Sequence, residues 1–487
     1  MKRQDLLKTH KNYDKNLKKW ELCRLAYDGG TEFIEHALHR HSRESYKNWL
    51  ERLTEGVDFN YAEAIIDLFN FYLTEKPMIR DFVGIDKDPQ FMMFQQDTDY
   101  HGTNYHEFIV ECQKFASVYG CVGVLVNKVS GFKTVAEEIA NKVFPHCVVF
   151  TPQNILDWKY QRNVQTGRQD LIYLKLKEED GEYLILTQTY WERWKDVDTK
   201  KEPELVDSGV LPIGEIPFLW FYNLKSLAGP KSQFGKSDID AVGRITASII
   251  RNFSNGEEAL KFAGFPILRE PMEPDNGDVD EGPAPNQSKA IGQRGVMEFN
   301  PELGEAGKPD WMEPKILESI EALLKWTDRK TDEIYRIVHL SGVHGQRKSN
   351  NEVSSGLALR YEFQQLYSVL SKKAENMCEA ELKIIYFWLK WQNKADLFKK
   401  ISIKHSKSFS VDDLSVDLDN CFLTIEKVAS KTFQVEMQLK VAKNMLPDLP
   451  DDTVNLIQQE LIQAPTVLPK TESAPKPKPK AKPESQE

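Results

Sequence analysis

Three runs of apolar residues at helical spacing constrain this chain more than any other feature in it. The last run, Gly356 to Asn393, has no Pro and no internal Gly. It places Leu359, Phe363, Leu366, Leu370, Ala374 and Met377 at three- and four-residue steps, the repeat of one helix face. At ~1.5 Å per residue such a helix would be roughly 57 Å long, much longer than an average globular helix. A helix of that length works as a strut. Before it, Pro314 to Leu340 carries Ile316, Ile320, Leu323, Leu324, Ile334, Ile337 and Val338 on one side, with Pro314 suited to a first turn. Earlier still, Ile239, Val242, Ile245, Ile249 and Phe253 form another amphipathic run beginning near Lys236. The pattern predicts three rods, joined by an irregular insert and a short polar loop.

The 487 residues leave room for two to four domains, and 40% hydrophobic with 28% charged residues is ordinary for a soluble protein. No apolar run approaches the length of a membrane span, so no membrane partner is expected. The first twenty residues are basic without an apolar segment, unlike a secretory signal, which predicts a cytoplasmic chain. Cys23, Cys112, Cys121, Cys147, Cys378 and Cys421 form no CxxC pair or framework and read as reduced core thiols. A net charge of -10 argues against a protein that grips nucleic acid by neutralising phosphates. It leaves room for one that lets nucleic acid slide past.

Residues 1–80 read as helices broken at Asp28, Gly29 and Gly30. His36, His39 and His41 lack further ligands at defined spacing and read as solvated surface residues. Tyr105 to Val118 is a helical pattern and Val122 to Val126 an apolar strand. From Val143 to Tyr222 the texture is that of β-strands, with turns at Thr166-Gly167 and Asp180-Gly181. The expected fold class is therefore α+β, mainly α, with Trp158, Trp191, Trp194 and Trp220 in the core or at its rim.

Between this region and the first rod lies Gly229-Pro-Lys-Ser-Gln-Phe-Gly235-Lys236-Ser237. A phosphate-cradling loop has G-x-x-x-x-G-K-[ST] spacing, because its amides curl round the phosphates while Lys and Ser reach the end phosphates and magnesium. Here five residues separate the glycines, and Pro230 removes an amide. The simpler reading is that Gly235 ends a loop and Ser237 caps a helix.

The insert, Gly264 to Glu313, has strand-like FPIL and GVMEF flanking a stretch rich in Pro, Gly and acid. It holds eleven Asp and Glu against four Lys and Arg, and its edge strands suit completion by neighbouring chains. The loop from Ser341 to Ser355 is polar, and as a ring of copies it would suit weak contact with a phosphate backbone. After Asn393 come strand-like KISIKH and CFLTIE, then helical Lys431 to Met445 and Asp451 to Gln463, separated by Pro447 and Pro450. The Lys/Pro-rich end reads as a flexible tail.

This order of elements resembles the portal proteins of tailed bacteriophages, the ring at one capsid vertex through which DNA enters and leaves. The resemblance covers nearly the whole chain. It rests on YDGGTEFIEHALHRHSRESYKNWLERL, AEAIIDLFNFYLTEKPMI, VYGCVGVLVN, PQNILDWKY and GEIPFLWFYN, then on KSDIDAVGRITASIIRNFSNGEEALKFAGFPILRE and SSGLALRYEFQQL. It implies a wing domain over 1–235, stem helices over 236–263 and 314–340, and a clip over 264–313. A tunnel loop follows over 341–355, a long wing helix over 356–395 and a strand-rich return over 396–425. The crown would span 426–464 and the Lys/Pro tail 465–487.

The resemblance also implies a homo-oligomeric ring, usually of twelve subunits, in the virion, assembled in the host cytoplasm, with no cofactor, no metal and no catalytic residue. Double-stranded DNA would pass the tunnel-loop residues His344, Gln346, Arg347, Lys348, Asn350 and Asn351. A terminase motor and a head-completion adaptor would dock on the clip around Asp275, Asp278, Asp280 and Glu281, and a major capsid or scaffolding protein would be a further partner. Two other readings stay open on sequence alone: a nucleotide hydrolase using Gly235, Lys236 and Ser237, and a scaffold protein that never touches DNA.

Overall fold

A computed structural model of the protein describes residues 2–76, 78–129, 131–132, 134–196, 202–226, 234–264, 267–271, 296–299, 310–312, 317–340, 356–406, 431–445 and 451–463. They belong to two units, Met1–Phe409 and Ser410–Glu487. Helix outweighs sheet among them, as expected. The first unit begins with helices α1 (Arg3–Leu7), α2 (Lys11–Asp28) and α3 (Gly30–Ala37), and the break between the last two falls at Gly29, where φ is +63°. Only glycine takes that backbone without a side-chain clash. Helices α4 (Tyr46–Glu55) and α5 (Tyr61–Thr74) follow, started by Ser45 and Asn60, whose side chains accept from the amides of Asn48 and Glu63. Then come β1 (Ile79–Phe82), α6 (Pro89–Gln96) and α7 (Tyr105–Tyr119).

The predicted apolar strand is β2 (Cys121–Asn127), followed by α8 (Val135–Ala140) and β3 (His146–Phe150). The β-rich stretch resolves into β4 (Ile155–Arg162), β5 (Gln169–Lys177), β6 (Glu182–Thr187), β7 (Tyr190–Lys195), β8 (Glu204–Val210) and β9 (Phe218–Tyr222). Strands β4 to β8 form an antiparallel meander, while β2 lies between β3 and β9 in a separate antiparallel sheet. Trp158 and Trp220 are buried where the two sheets meet, and Trp191 and Trp194 are half-buried. His36, His39 and His41 are exposed, and among the described residues no group of His, Cys, Asp and Glu is placed to hold a metal ion. Cys23, Cys112, Cys121 and Cys147 are buried free thiols and Cys378 a half-buried one.

The three rods are present. They are α9 (Asp240–Gly264), then, after strands β10 (Ile267–Pro271), β11 (Val296–Phe299) and β12 (Asp310–Met312), α10 (Leu317–Ile337) and α11 (Gly356–Trp391). The first starts four residues later than the pattern predicts, because Lys236 is held in a bridge to Leu224 instead. β10 lies between β11, which is parallel to it, and β12, which is antiparallel. FPIL and GVMEF thus do supply strands, and the third strand was not foreseen. The buried side of α11 includes Leu366, Leu370, Ala374 and Met377 as expected, but Leu324 of α10 is 50% exposed. KISIKH forms β13 (Ile401–Lys404), antiparallel to β1, while CFLTIE lies outside the described residues. The second unit shows α12 (Lys431–Met445) and α13 (Asp451–Gln463), packed on each other. No helix among the described residues is long and apolar enough to cross a membrane.

Charge anchors the β1–β13 ribbon to the long helix. Glu381 of α11 is fully buried, with Arg80 of β1 at 2.6 Å from one carboxylate oxygen and His405 Nε2 at 2.5 Å from the other. Burial pushes this carboxyl up, but the hydrogen bonds from His405 and Arg80 outweigh it and hold Glu381 below the ordinary Glu range. A carboxyl depressed in the fold contributes stability above its unfolded pKa and loses it as pH falls through the folded one. Glu381→Gln is expected to cost about 3–5 kcal/mol at neutral pH, because it leaves the largely covered Arg80 cation without its charged partner. In urea titrations repeated at falling pH, the variant should also lose less stability than the parent below the usual Glu value of 4.5.

Candidate functional site

The glycine at the end of α7 begins the joint where the rods meet. Gly120 has φ +95°, and the segment around Gly235 passes so close that a Cβ on Gly235 would lie 2.0 Å from the Gly120 carbonyl oxygen. Both positions exclude a side chain, so Gly235 serves a backbone crossing. The segment then turns inward. Phe234 packs edge-on against Trp20, Trp158 and Trp220. Lys236 donates its amide to the Leu224 carbonyl, and the buried Ser237 hydroxyl donates to the Val118 carbonyl at 2.6 Å while accepting from the Ile239 amide. The Ser237 oxygen that a phosphate cradle would turn toward magnesium is engaged inside. Ser237 bonds to the backbone two residues on, ahead of the helix, and does not cap α9 as predicted.

Below this crossing lies a buried polar network. Asn223, fully buried after β9, donates to the Lys236 carbonyl at 3.0 Å and accepts from Gln113 at 3.0 Å and Ser117 at 3.3 Å, both on α7. Asn376 of α11 donates to the Asn223 carbonyl at 2.8 Å. Asp238, two residues before α9, donates its amide to the Ser117 carbonyl, and its carboxylate pairs with Lys373 of α11. The Lys373 ammonium is wholly buried and sits 4.4 Å above the Phe69 ring. Burial pulls Lys373 below the ordinary lysine range, and the Asp238 charge opposes that pull. One ion pair thus ties the root of the first rod to the middle of the longest.

α9 and α10 run antiparallel, as shown by contacts that step up one helix and down the other. Lys330 donates to Ser248 Oγ at 2.7 Å, Asn252 to Thr327 at 3.3 Å, and Gly256 lies beside Leu323. Two of these three contacts are polar. The side of α9 away from it packs on α2 and α3, where Gly243 admits Ala26 and Arg251 donates to the Ala37 carbonyl. Exposed on the pair are Leu260, Leu324, Trp326 (54% exposed), Arg244, Lys325, Asp328 and Arg329. Apolar and charged groups of both signs therefore alternate there.

The predicted contact residues fall elsewhere. His344, Gln346, Arg347, Lys348, Asn350 and Asn351, like Asp275, Asp278, Asp280 and Glu281, lie outside the described residues. At the edges of the polar loop, Leu340 is buried and His339 Nδ1 lies 3.1 Å from Gln365 Oε1 on α11. Sequence reasoning missed Lys373 and Glu381, although both fall on the buried side of the long helix alongside Leu370 and Met377. A charge at an apolar repeat position was the available signal.

No family model matches the chain, and no curated protein matches it. Solved structures similar to it include a chain in the virion of a native gene transfer agent (GTA) particle, 12% identical over 77% of this chain and 89% of that one, with a TM-score of 0.41. Others are in the neck of the empty GTA particle computed with C6 symmetry (11%, 77% and 89%, 0.42) and the neck of the native particle computed with C12 symmetry (13%, 80% and 89%, 0.40).

Removing Lys373 alone strands the buried Asp238 carboxylate. Lys373→Met is expected to cost about 3–5 kcal/mol in urea unfolding, and Lys373→Met combined with Asp238→Leu should recover most of that loss. A double variant as unstable as the single one would show that the ion pair does not hold the joint.

Proposed function

We propose that this chain is the portal protein of a tailed bacteriophage. In this reading copies close head to tail into a ring, twelve being the usual number for such proteins, and double-stranded DNA passes along the axis during packaging and ejection. The observation that carries it is the antiparallel pair α9 and α10, with the strand-bearing insert between them and the long helix α11 after them. That is the order of stem, clip, stem, loop and strut which the sequence motifs suggest. The exposed Leu260, Leu324 and Trp326 fit a surface that a neighbouring copy covers.

The net charge of -10 suits a channel that repels and centres DNA, with a few loop cations touching its backbone. The acidic insert suits a motor or adaptor with a basic face. ATP turnover belongs to that separate motor in this reading, in keeping with the inward engagement of Ser237 and the side-chain-free crossing at Gly235.

Negative-stain images of the purified protein are expected to show rings with an open axis, and the same preparation should turn over no ATP with magnesium. A filled helical bundle without a hole would defeat the reading. Arg347→Ala combined with Lys348→Ala is expected to leave ring assembly intact and to lower retention of packaged DNA, scored as the fraction of filled particles. Unchanged filling would exclude those two cations from any role at the channel wall.

A further inference from the structure

The charged residues of α2 divide into two groups. Toward its carboxyl end the cations are matched: Lys19 pairs with Asp240 at 3.4 Å, and Arg24 reaches Glu21, Asp28 and Glu32. Toward its amino end Lys11, Lys15 and Lys18, with Lys8 just before the helix, are exposed, and their ammonium groups carry no ion pair or hydrogen bond among the described residues. Steps of four and three residues put Lys11, Lys15 and Lys18 on one face. Asp14 adjoins them, held by the Thr9 hydroxyl at 2.8 Å. Residues 1–20 contain seven Lys and Arg against two Asp, in a chain whose net charge is -10.

The row is also held rigidly. The His10 ring accepts the Asn12 amide at 3.1 Å and stacks on Trp158 with centroids 4.1 Å apart. The Tyr13 hydroxyl donates to the Gln153 carbonyl at 3.0 Å. The Lys175 ammonium, buried under the segment before α2, donates to the carbonyls of Asp5, Leu6 and Lys8. A lysine row on an anchored helix loses less freedom on binding than the same residues on a loose tail.

We propose that this face of α2 is a second contact surface for the phosphate backbone of duplex nucleic acid, separate from the polar loop. From Lys11 to Lys18 the helix rises ~10.5 Å, which matches about three phosphates of one strand at ~3.4 Å of duplex axis each. The row offers lysine ammonium groups and no Arg fork, so it holds the backbone as point charges without reading sequence. The charge match favours a regular polyanion over an acidic protein patch, whose carboxylates would have to recur at that spacing.

The test is the salt dependence of binding of the full chain to a labelled duplex of about 30 base pairs, read by fluorescence anisotropy between ~50 and ~200 mM salt. Lys11→Gln, Lys15→Gln and Lys18→Gln together are expected to flatten the slope of log K against log salt by about 2–3, at ~0.9 for each phosphate no longer neutralised. A control carrying Lys87→Gln and Lys177→Gln, both exposed lysines elsewhere, should keep the parent slope. The proposal is overturned if the parent does not bind at the lowest salt, if the triple variant keeps its slope, or if the control loses as much. Polyglutamate of similar length binding as tightly as the duplex would assign the face to an acidic polypeptide instead. The outcome is independent of the ring reading, since rings and particle filling are scored separately.

Discussion

The structure of the first unit depends on two charges that the long helix carries into its own buried side. Lys373 and Glu381 lie in the middle and later part of α11, each wholly buried and each matched by a partner from a distant part of the chain. An unmatched ion at either place would cost several kcal/mol, so Asp238 and Arg80 have to arrive for the helix to seat. Apolar packing along Leu366, Leu370, Ala374 and Met377 supplies the bulk of the driving force but tolerates sliding by a turn. The ion pairs do not, because each works at one register. They therefore fix where the strut stands relative to the first rod on one side and the β1–β13 ribbon on the other.

Local order and long-range order were unequally legible in the sequence. The rods, the apolar strand β2, the meander and the turn at Gly29 follow from local periodicity and from glycine, and the structure places them within a few residues of the expected ends. Lys236 departs from the expected helix because its amide finds the Leu224 carbonyl, a long-range bond that no helical repeat announces. Leu324 departs because a repeat identifies a stripe wider than the surface its neighbours cover. The polar network around Asn223 was invisible for a different reason: Gln113 and Ser117 on α7, Lys236, and Asn376 on α11 come from separate parts of the chain, and nothing local marks their convergence.

Gly235-Lys236-Ser237 shows how the same residues can satisfy a motif's letters and serve another physical purpose. A nucleotide loop needs its amides and hydroxyl turned toward an empty cradle. Here the glycine permits two backbones to cross, and the hydroxyl fills a carbonyl's need inside the core. The first rod leaves directly from this crossing, so its starting direction is set by groups that are buried and bonded.

The clasp formed by Lys175 has a consequence for the amino-terminal residues. By collecting the carbonyls of Asp5, Leu6 and Lys8, it makes them part of the meander's cover, with Leu6 closing over Leu156, Tyr183 and Ile185. Trimming the chain back to α2 would strip that lid, leaving an oily face and a lysine with no acceptors in the wall beneath it.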